Sequence, residues 1–390
     1  MATEATAQAP KAPKVNKFGV FQRDKIISII VPIVSIFLAF VVGGIVVLCL
    51  GKNPIEGYGY LFSGALGNAG RVAQSLQSAC PLIFTALAVS FAYKCGVFNL
   101  GGEGQFILGA CATMFVLETT GVEGVPGILL GILVGIIAGG LWGLLPGVMK
   151  ITRGLNELIT TIMLNYVATL LMNFMYSKVL HDPDSGNLQT MAVADSVVLP
   201  KIDRLHIGVI IAILMAVAVW YVIYKTSFGF KIRAVGINPT AAKVAGFPVK
   251  RLVLLSFVIS GAIAGFGGSV DLLGRQYRLM TGFGSGFGFS GVAIALIAQL
   301  NPIGSMAVAL FFGMLTTGAS SMQVGIGVPS AILDIIRALI IIFAVAGMAM
   351  MKLPTFKNLL NRRLMDQEGL MPPTDTKGDD GSSLKPEVSE

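Results

Sequence analysis

The chain has 390 residues, of which 54% are hydrophobic and 12% charged, with a formal net charge of +8; its mean hydropathy is +0.80. A soluble domain of this size cannot hide that much apolar surface in one core. Uncharged runs of about 20 residues, the length that crosses a bilayer as helix, recur along it, and they are continuous rather than alternating, so a β-barrel is excluded and an all-α polytopic membrane protein is expected.

Ten spans are expected, at 26–50, 75–93, 100–119, 126–149, 157–177, 205–224, 252–273, 284–300, 303–323 and 329–351. This divides the chain into a basic tail (1–25), a transmembrane domain (26–351) and a C-terminal tail (352–390); the ends, Met1–Asn16 and Gly369–Glu390, have a disordered composition. The first run is too long for a signal peptide and lacks a small-residue cleavage site, so it reads as a retained span. With both termini in the cytoplasm, about 20 basic residues fall inside and about seven outside. The basic balance then reflects topology, not nucleic-acid binding. Cys49, Cys80, Cys95 and Cys111 read as small hydrophobes, and His181 and His206 are too isolated for a metal site.

The third span opens on VFNLGGEGQFILGA (97–110). From Gly102 its apolar part is about 16 residues, or about 24 Å, against a hydrocarbon core of about 30 Å. The Gly-rich mouth is therefore sunk below the surface and must face protein or water. Glu103 in a first helical turn is stabilised by free N–H groups, and Asn99 can cap or turn the chain. Asn99, Gly102, Glu103 and Gln105 are thus candidate pathway or gating residues, with Glu103 acting as a pin of its own helix. A second Gly-rich mouth, Gly282–Gly291, precedes the eighth span and opens, in this topology, on the opposite face, as in inverted repeats.

In the fourth span Gly127, Gly131, Gly135, Gly139, Gly143 and Gly147 recur every fourth residue, a groove that lets backbones approach. A step of four drifts about 40° per repeat, so either a partner crosses at an angle or two partners share it. Gly261 and Gly265 repeat the device in the seventh span. The fifth span opens on GLNELITTIMLNYV (154–167). Its Asn156, Glu157, Thr160, Thr161 and Asn165 are too polar to face lipid; lining of a pathway and interhelix hydrogen bonding both remain open. The segment 225–251 is basic and has no acid. Within it, Asn238–Pro248 is expected as a short helix, with Asn238 as cap, Pro239 in the first turn and Gly246 at the end. Asp334 and Arg337 can pair along the tenth span.

No G-x-x-x-x-G-K-[ST] occurs, Gly286-x-Gly288-x-x-Gly291 lacks a preceding strand, and no HExxH or Ser/His/Asp set is found, so no catalytic residue, metal or cofactor is assigned to this chain. Energy from ATP would come from another subunit.

The ordered motifs FNLGGEGQ, GLNELITTIMLNY, TSFGFKIRAVGINPTAAKVAGF and SGAIAGFGGS together resemble the permease subunits of ABC importers for simple sugars and nucleosides, over about residues 60–350. The NELITTIMLN form is closest to the nucleoside branch. The resemblance implies a prokaryotic inner-membrane complex. It would hold a second permease of different sequence, two cytoplasmic ATPases carrying ATP and Mg, and an external substrate-binding protein. The family's coupling run E-A-A-x-x-x-G matches Thr240, Ala241, Ala242, Lys243, Val244, Ala245 and Gly246, with Thr in place of the acid. Arg204, Arg275 and Arg278 are candidates for docking the binding protein; their alternative is headgroup anchoring. A permease for ribose or galactose is the alternative substrate reading. An ion-coupled secondary transporter is the alternative class, for which Glu103, Asp271 and Asp334 are the candidate coupling acids.

Overall fold

A computed structural model describes residues 34–329 and 331–352. The expected tails and the first residues of the first span (26–33) lie outside the described residues. Residues 34–345 belong to one compact unit, described below.

It is a bundle of helices. A first helix, α1, is described over Val34–Cys49. It is followed by α2 (Pro54–Leu66), α3 (Ala69–Lys94), α4 (Gly102–Thr120), α5 (Gly124–Arg153) and α6 (Glu157–Phe174). After a partly irregular excursion come α7 (Gly208–Lys225), α8 (Ser227–Ile237), α9 (Pro239–Val244), α10 (Val249–Asp271), α11 (Phe287–Ile297), α12 (Pro302–Ile326) and α13 (Ala331–Lys352). Each expected run is helical within the described residues. Six of these helices are long and apolar enough to cross a membrane, while α1 and α11 are shorter apolar helices. At 11 residues, roughly 16 Å at 1.5 Å per residue, α11 cannot cross by itself.

The helix α8 was not anticipated, and neither was α2. Its 13 residues are too few for a span and include Glu56. It exists because Asn53 caps it, accepting from the Ile55 N–H at 3.0 Å, and because Pro54 suits the first position. The excursion between α6 and α7 also has structure. A π-helical turn closes α6 at Met175–Val179, and a two-residue hairpin pairs β1 (Lys201–Ile202) with β2 (Leu205–His206).

The glycine ladder of α5 shows why this sequence packs tightly. Gly131 lies against Thr113 of α4, Gly135 against both Thr113 of α4 and Ser269 of α10, Gly139 against the α10 backbone at Gly261 and Gly265, and Gly143 against that at Phe257 and Gly261. The drift of a four-residue step around the helix thus gives the groove two neighbours, one at each end. A side chain at Gly139 would meet the Gly261 carbonyl and Gly265 Cα, neither of which can yield as a side chain does. Thr113 fastens the junction, donating to Gly131 O at 2.8 Å and lying 2.8 Å from the Ser269 hydroxyl.

Candidate functional site

The mouth of α4 is built from side chains of three other segments. Gly101 leaves the helix N-terminus without a side-chain cap. Asn99 instead organises the turn. Its Oδ1 accepts from the Gly101 N–H at 2.9 Å, and its Nδ2 donates to Gln105 Oε1 at 3.0 Å and to Ser260 Oγ of α10 at 2.9 Å. From α6, Asn165 accepts the Gly104 N–H at 2.8 Å and donates to Leu100 O at 2.9 Å. Asn99, Gln105 and Asn165 are all buried. Every bond named here closes a backbone or amide group that would be unsatisfied at this depth.

The polar stripe of α6 is therefore split. Asn165 faces α4 and holds its mouth, while Thr161, one turn earlier, packs its Cβ beside Gly101 and returns its hydroxyl to Glu157 O. Asn156 caps α6 through Leu158 N, and the Thr160 hydroxyl returns to Asn156 O of its own helix. Glu157 pairs with Lys150 across the α5–α6 turn. For Asn165 the interhelix alternative is the one the geometry realises.

Glu103 differs from expectation in a way that matters. Its carboxylate does not serve only its own first turn. Oε2 accepts from the Gly286 N–H at 3.0 Å, and the N–H groups of Gly288 and Phe289 face the same carboxylate. These are the free donors at the start of α11, where the helix dipole favours an anion. The two Gly-rich mouths, expected on opposite faces, meet. Between them runs 277–286. This segment leaves the excursion, where Tyr277 O and Leu279 O accept from Val193 N and Thr190 N, and descends to Glu103. Gly288 sits directly on the Glu103 backbone, which leaves no room for a side chain there.

At the end of the bundle where Gly96 touches Gly236, α8 and α9 form an elbow. Asn238 caps α9, accepting from Ala241 N at 3.0 Å, and Gly246 takes φ +82° to end it. Thr240, Ala241, Lys243, Ala245 and Gly246 are exposed. Ala242 is not: it is 4% exposed and packs in a small core with Ile232, Val235, Leu252 and Phe257. The apolar surface expected of this helix, Ala241, Ala242, Val244 and Ala245, thus loses Ala242, keeps Val244 (86% exposed) and gains Ile237 (85%). Ile237 was missed, because an isoleucine in a short basic helix reads as core.

The three arginines part company at the hairpin end. Arg204 is exposed. Arg278 lines a cavity of about 500 Å³ with Asp195, Lys201 and Tyr277. Arg275 is turned inward, contrary to expectation. It makes a bidentate pair with Asp271 at 2.7 and 3.0 Å and stacks 5.5 Å from the Phe287 ring centroid. Its Nε and Nη2 are thereby committed to Asp271.

Comparison with known proteins decides the family. The model for the permease component of branched-chain amino acid transport systems matches residues 71–345, from the start of α3 into α13. The chain belongs to this permease family. It is 36% identical over 327 residues to the guanosine ABC transporter permease protein NupP of Bacillus subtilis, covering 82% of this chain and 94% of the relative. It is 37% identical over 333 residues to the nucleoside ABC transporter permease protein NupB of Lactococcus lactis, covering 82% and 91%. The glucose ABC transporter permease protein TsgB13 of Haloferax volcanii is 31% identical over 362 residues, covering 90% and 94%. No solved structure matches. The permease region contains both mouths, the elbow and the glycine ladder, whereas α1 and α2 precede it.

Proposed function

We propose that this chain is the transmembrane permease subunit of an ATP-driven ABC importer that moves a nucleoside across the cytoplasmic membrane of a prokaryote by alternating access. The observation that carries the substrate is the similarity, over most of both chains, to two permeases named for guanosine and nucleosides. In this reading both termini are cytoplasmic. The segment 277–286 with α11 takes the place of the eighth of ten spans and re-enters rather than crosses. Irregular backbone at that depth is tolerated because Glu103 and the surrounding helices satisfy it.

The elbow 225–251 is the coupling element for a separate ATPase carrying ATP and Mg. Its capped helix is rigid and presents Val244 and Ile237 with the small residues Ala241 and Ala245, a knob that a cleft can take. Arg204 and Arg278 meet an external binding protein, and a second, different permease completes the pathway. Glu103 is a gating pin between α4 and α11, and the bonds of Asn99, Gln105 and Asn165 keep the α4 side of it fixed. An ion-coupled mechanism is disfavoured because its candidate acids are apart and engaged: Glu103 by α11, Asp271 by Arg275 and Asp334 by Arg337.

The test is reconstitution with the cognate ATPase, second permease and binding protein in liposomes. ATP-dependent uptake of tritiated guanosine is expected. Uptake of glucose or ribose without nucleoside would select the sugar reading, which the Haloferax relative favours. Uptake driven by an ion gradient without ATP would remove the importer assignment.

A further inference from the structure

A cavity of about 320 Å³ lies between α3, α11, α12 and α13. That is within the range of small-molecule sites, about 300–1,000 Å³. Leu82, Phe312 and Ile341 give it an apolar wall; Ser78, Ser290 and Thr316 give it hydroxyls. Asp334 and Arg337 line it from α13, and the exposure of Asp334 sets its rim at the chain surface.

Arg337 is the unusual member. Its Nη2 donates to Thr316 Oγ1 at 2.6 Å, but its Nη1 is 3.5 Å from Asp334 Oδ1 and its Nε is buried with no hydrogen-bond partner. The pair expected along the helix forms, but at 3.5 Å and with the Asp334 side chain 75% exposed, so it leaves acceptor capacity unused. A guanidinium inside a span with a donor left over is costly, and such groups mark pathways. The charge balance narrows the ligand. Arg337 faces Asp334, Arg275 is neutralised by Asp271, and the Gly286 N–H at the α11 N-terminus is taken by Glu103, whose carboxylate faces the donors that follow. No net charge is left for an ion. What remains are separate donors and acceptors beside an apolar wall, which suits an uncharged molecule with both hydroxyls and an apolar face.

We propose that this cavity is the substrate subsite of the permease, where Arg337 and Asp334 hydrogen-bond the sugar hydroxyls of a nucleoside and Leu82, Phe312 and Ile341 cover its base. The assignment rests on the importer reading and adds to it the residues that hold the substrate. It also places the substrate one residue from the latch, because Gly286 both lines the cavity and donates to Glu103.

The test uses the complete reconstituted transporter and tritiated guanosine, with 2′-deoxyguanosine as competitor. Arg337→Gln is expected to raise the KM for uptake about tenfold, as loss of about 1.4 kcal/mol of binding gives. It should also lessen the preference for guanosine over the deoxy analogue, since a site built for a hydroxyl rejects a ligand lacking it. Asp334→Asn should act in the same direction, and Ser290→Leu should obstruct uptake by filling the cavity. Arg337→Lys should restore part of the affinity. An unchanged KM and unchanged ribo-over-deoxy preference in Arg337→Gln and Asp334→Asn would overturn the proposal. So would loss of the second permease on purification of both variants without a KM change, which would make the rim a subunit contact only. Should the wild-type complex import glucose and no nucleoside, the substrate reading fails. The subsite is then judged by the same KM shift measured with glucose.

Discussion

Glu103 and Arg337 are both ionisable side chains set in apolar helices, and they are treated in opposite ways. The carboxylate is met by N–H groups of Gly286, Gly288 and Phe289 at a helix start. The guanidinium keeps one short bond, one long contact and a buried Nε without a partner. A buried charge whose hydrogen bonds are complete holds elements together, and its loss is felt in assembly. One whose bonds are incomplete leaves a place for something else, and its loss is felt in affinity. The comparison turns an unspecific observation, polar residues inside spans, into two distinct expectations.

The largest effect marks what a purely structural position looks like. Gly139→Leu would drive a side chain into the α10 backbone, and its cost should exceed the about 1–3 kcal/mol typical of overpacked cores. Folded, paired complex should be lost, as measured by size-exclusion yield after mild solubilisation. Normal yield would mean that α5 and α10 can part without penalty, and the Glu103 side of the comparison would lose its scaffold.

Next comes the latch. Glu103→Lys places a cation against three N–H donors and the positive end of a helix, so assembly and uptake should both fail. Glu103→Gln keeps an acceptor but loses the charge-assisted bond from Gly286, worth about 1.5–3 kcal/mol against about 1 for a neutral one. This variant should assemble, melt at a lower temperature and retain measurable uptake with unaltered KM. A KM shift in Glu103→Gln like that expected for Arg337→Gln would erase the distinction between the two charges.

Much of this was readable from the chain alone. Long apolar runs fix helices because lipid leaves the backbone no other partner. Six glycines at a step of four specify a groove, and its drift leaves either one partner crossing at an angle or two sharing it, of which the second is found. Asn238, Pro239 and Gly246 define α9 by local rules. What was not readable depends on distant contact. Glu103 and Gly286 are 183 residues apart, and nothing in either mouth names the other. The inward turn of Arg275 had a legible signal, Asp271 one helical turn earlier, but a span boundary drawn at 273 separated the two. The outward turn of Ile237 had none, because hydrophobicity argues for burial unless a partner is known; Val244 was legible as part of the apolar surface of α9.

The elbow extends the comparison to apolar side chains and carries the third prediction. Ala242 is packed and Val244, two residues on, is bare. Ala242→Arg should disturb the small core beneath α9 and lower the yield of folded permease, because no room exists there for a charged chain. Val244→Arg should leave folding and pairing intact and reduce binding-protein-stimulated ATP hydrolysis and uptake together. Full coupling in Val244→Arg would move the ATPase contact off this face.

The smallest effect is expected where charge is exposed and water screens it. Arg204 is open to solvent and Arg278 lies at the rim of the cavity beside Lys201, while Arg275 is committed to Asp271. Rim charges guide encounter more than they add affinity. Arg204→Glu with Arg278→Glu should therefore slow stimulation by the binding protein several-fold at low ionic strength, an effect that fades near 0.15 M salt, where the Debye length is about 8 Å. Arg275→Glu should behave differently. It would set a carboxylate beside Asp271 inside the protein, and the loss should appear in folding at every salt concentration, because a buried ion pair broken on one side costs about 3–5 kcal/mol. The measurement is ATPase stimulation against salt for both variants beside their thermal stability. If Arg275→Glu is stable and its defect disappears with salt, Arg275 belongs with the docking residues after all and the inward pair is not what holds it.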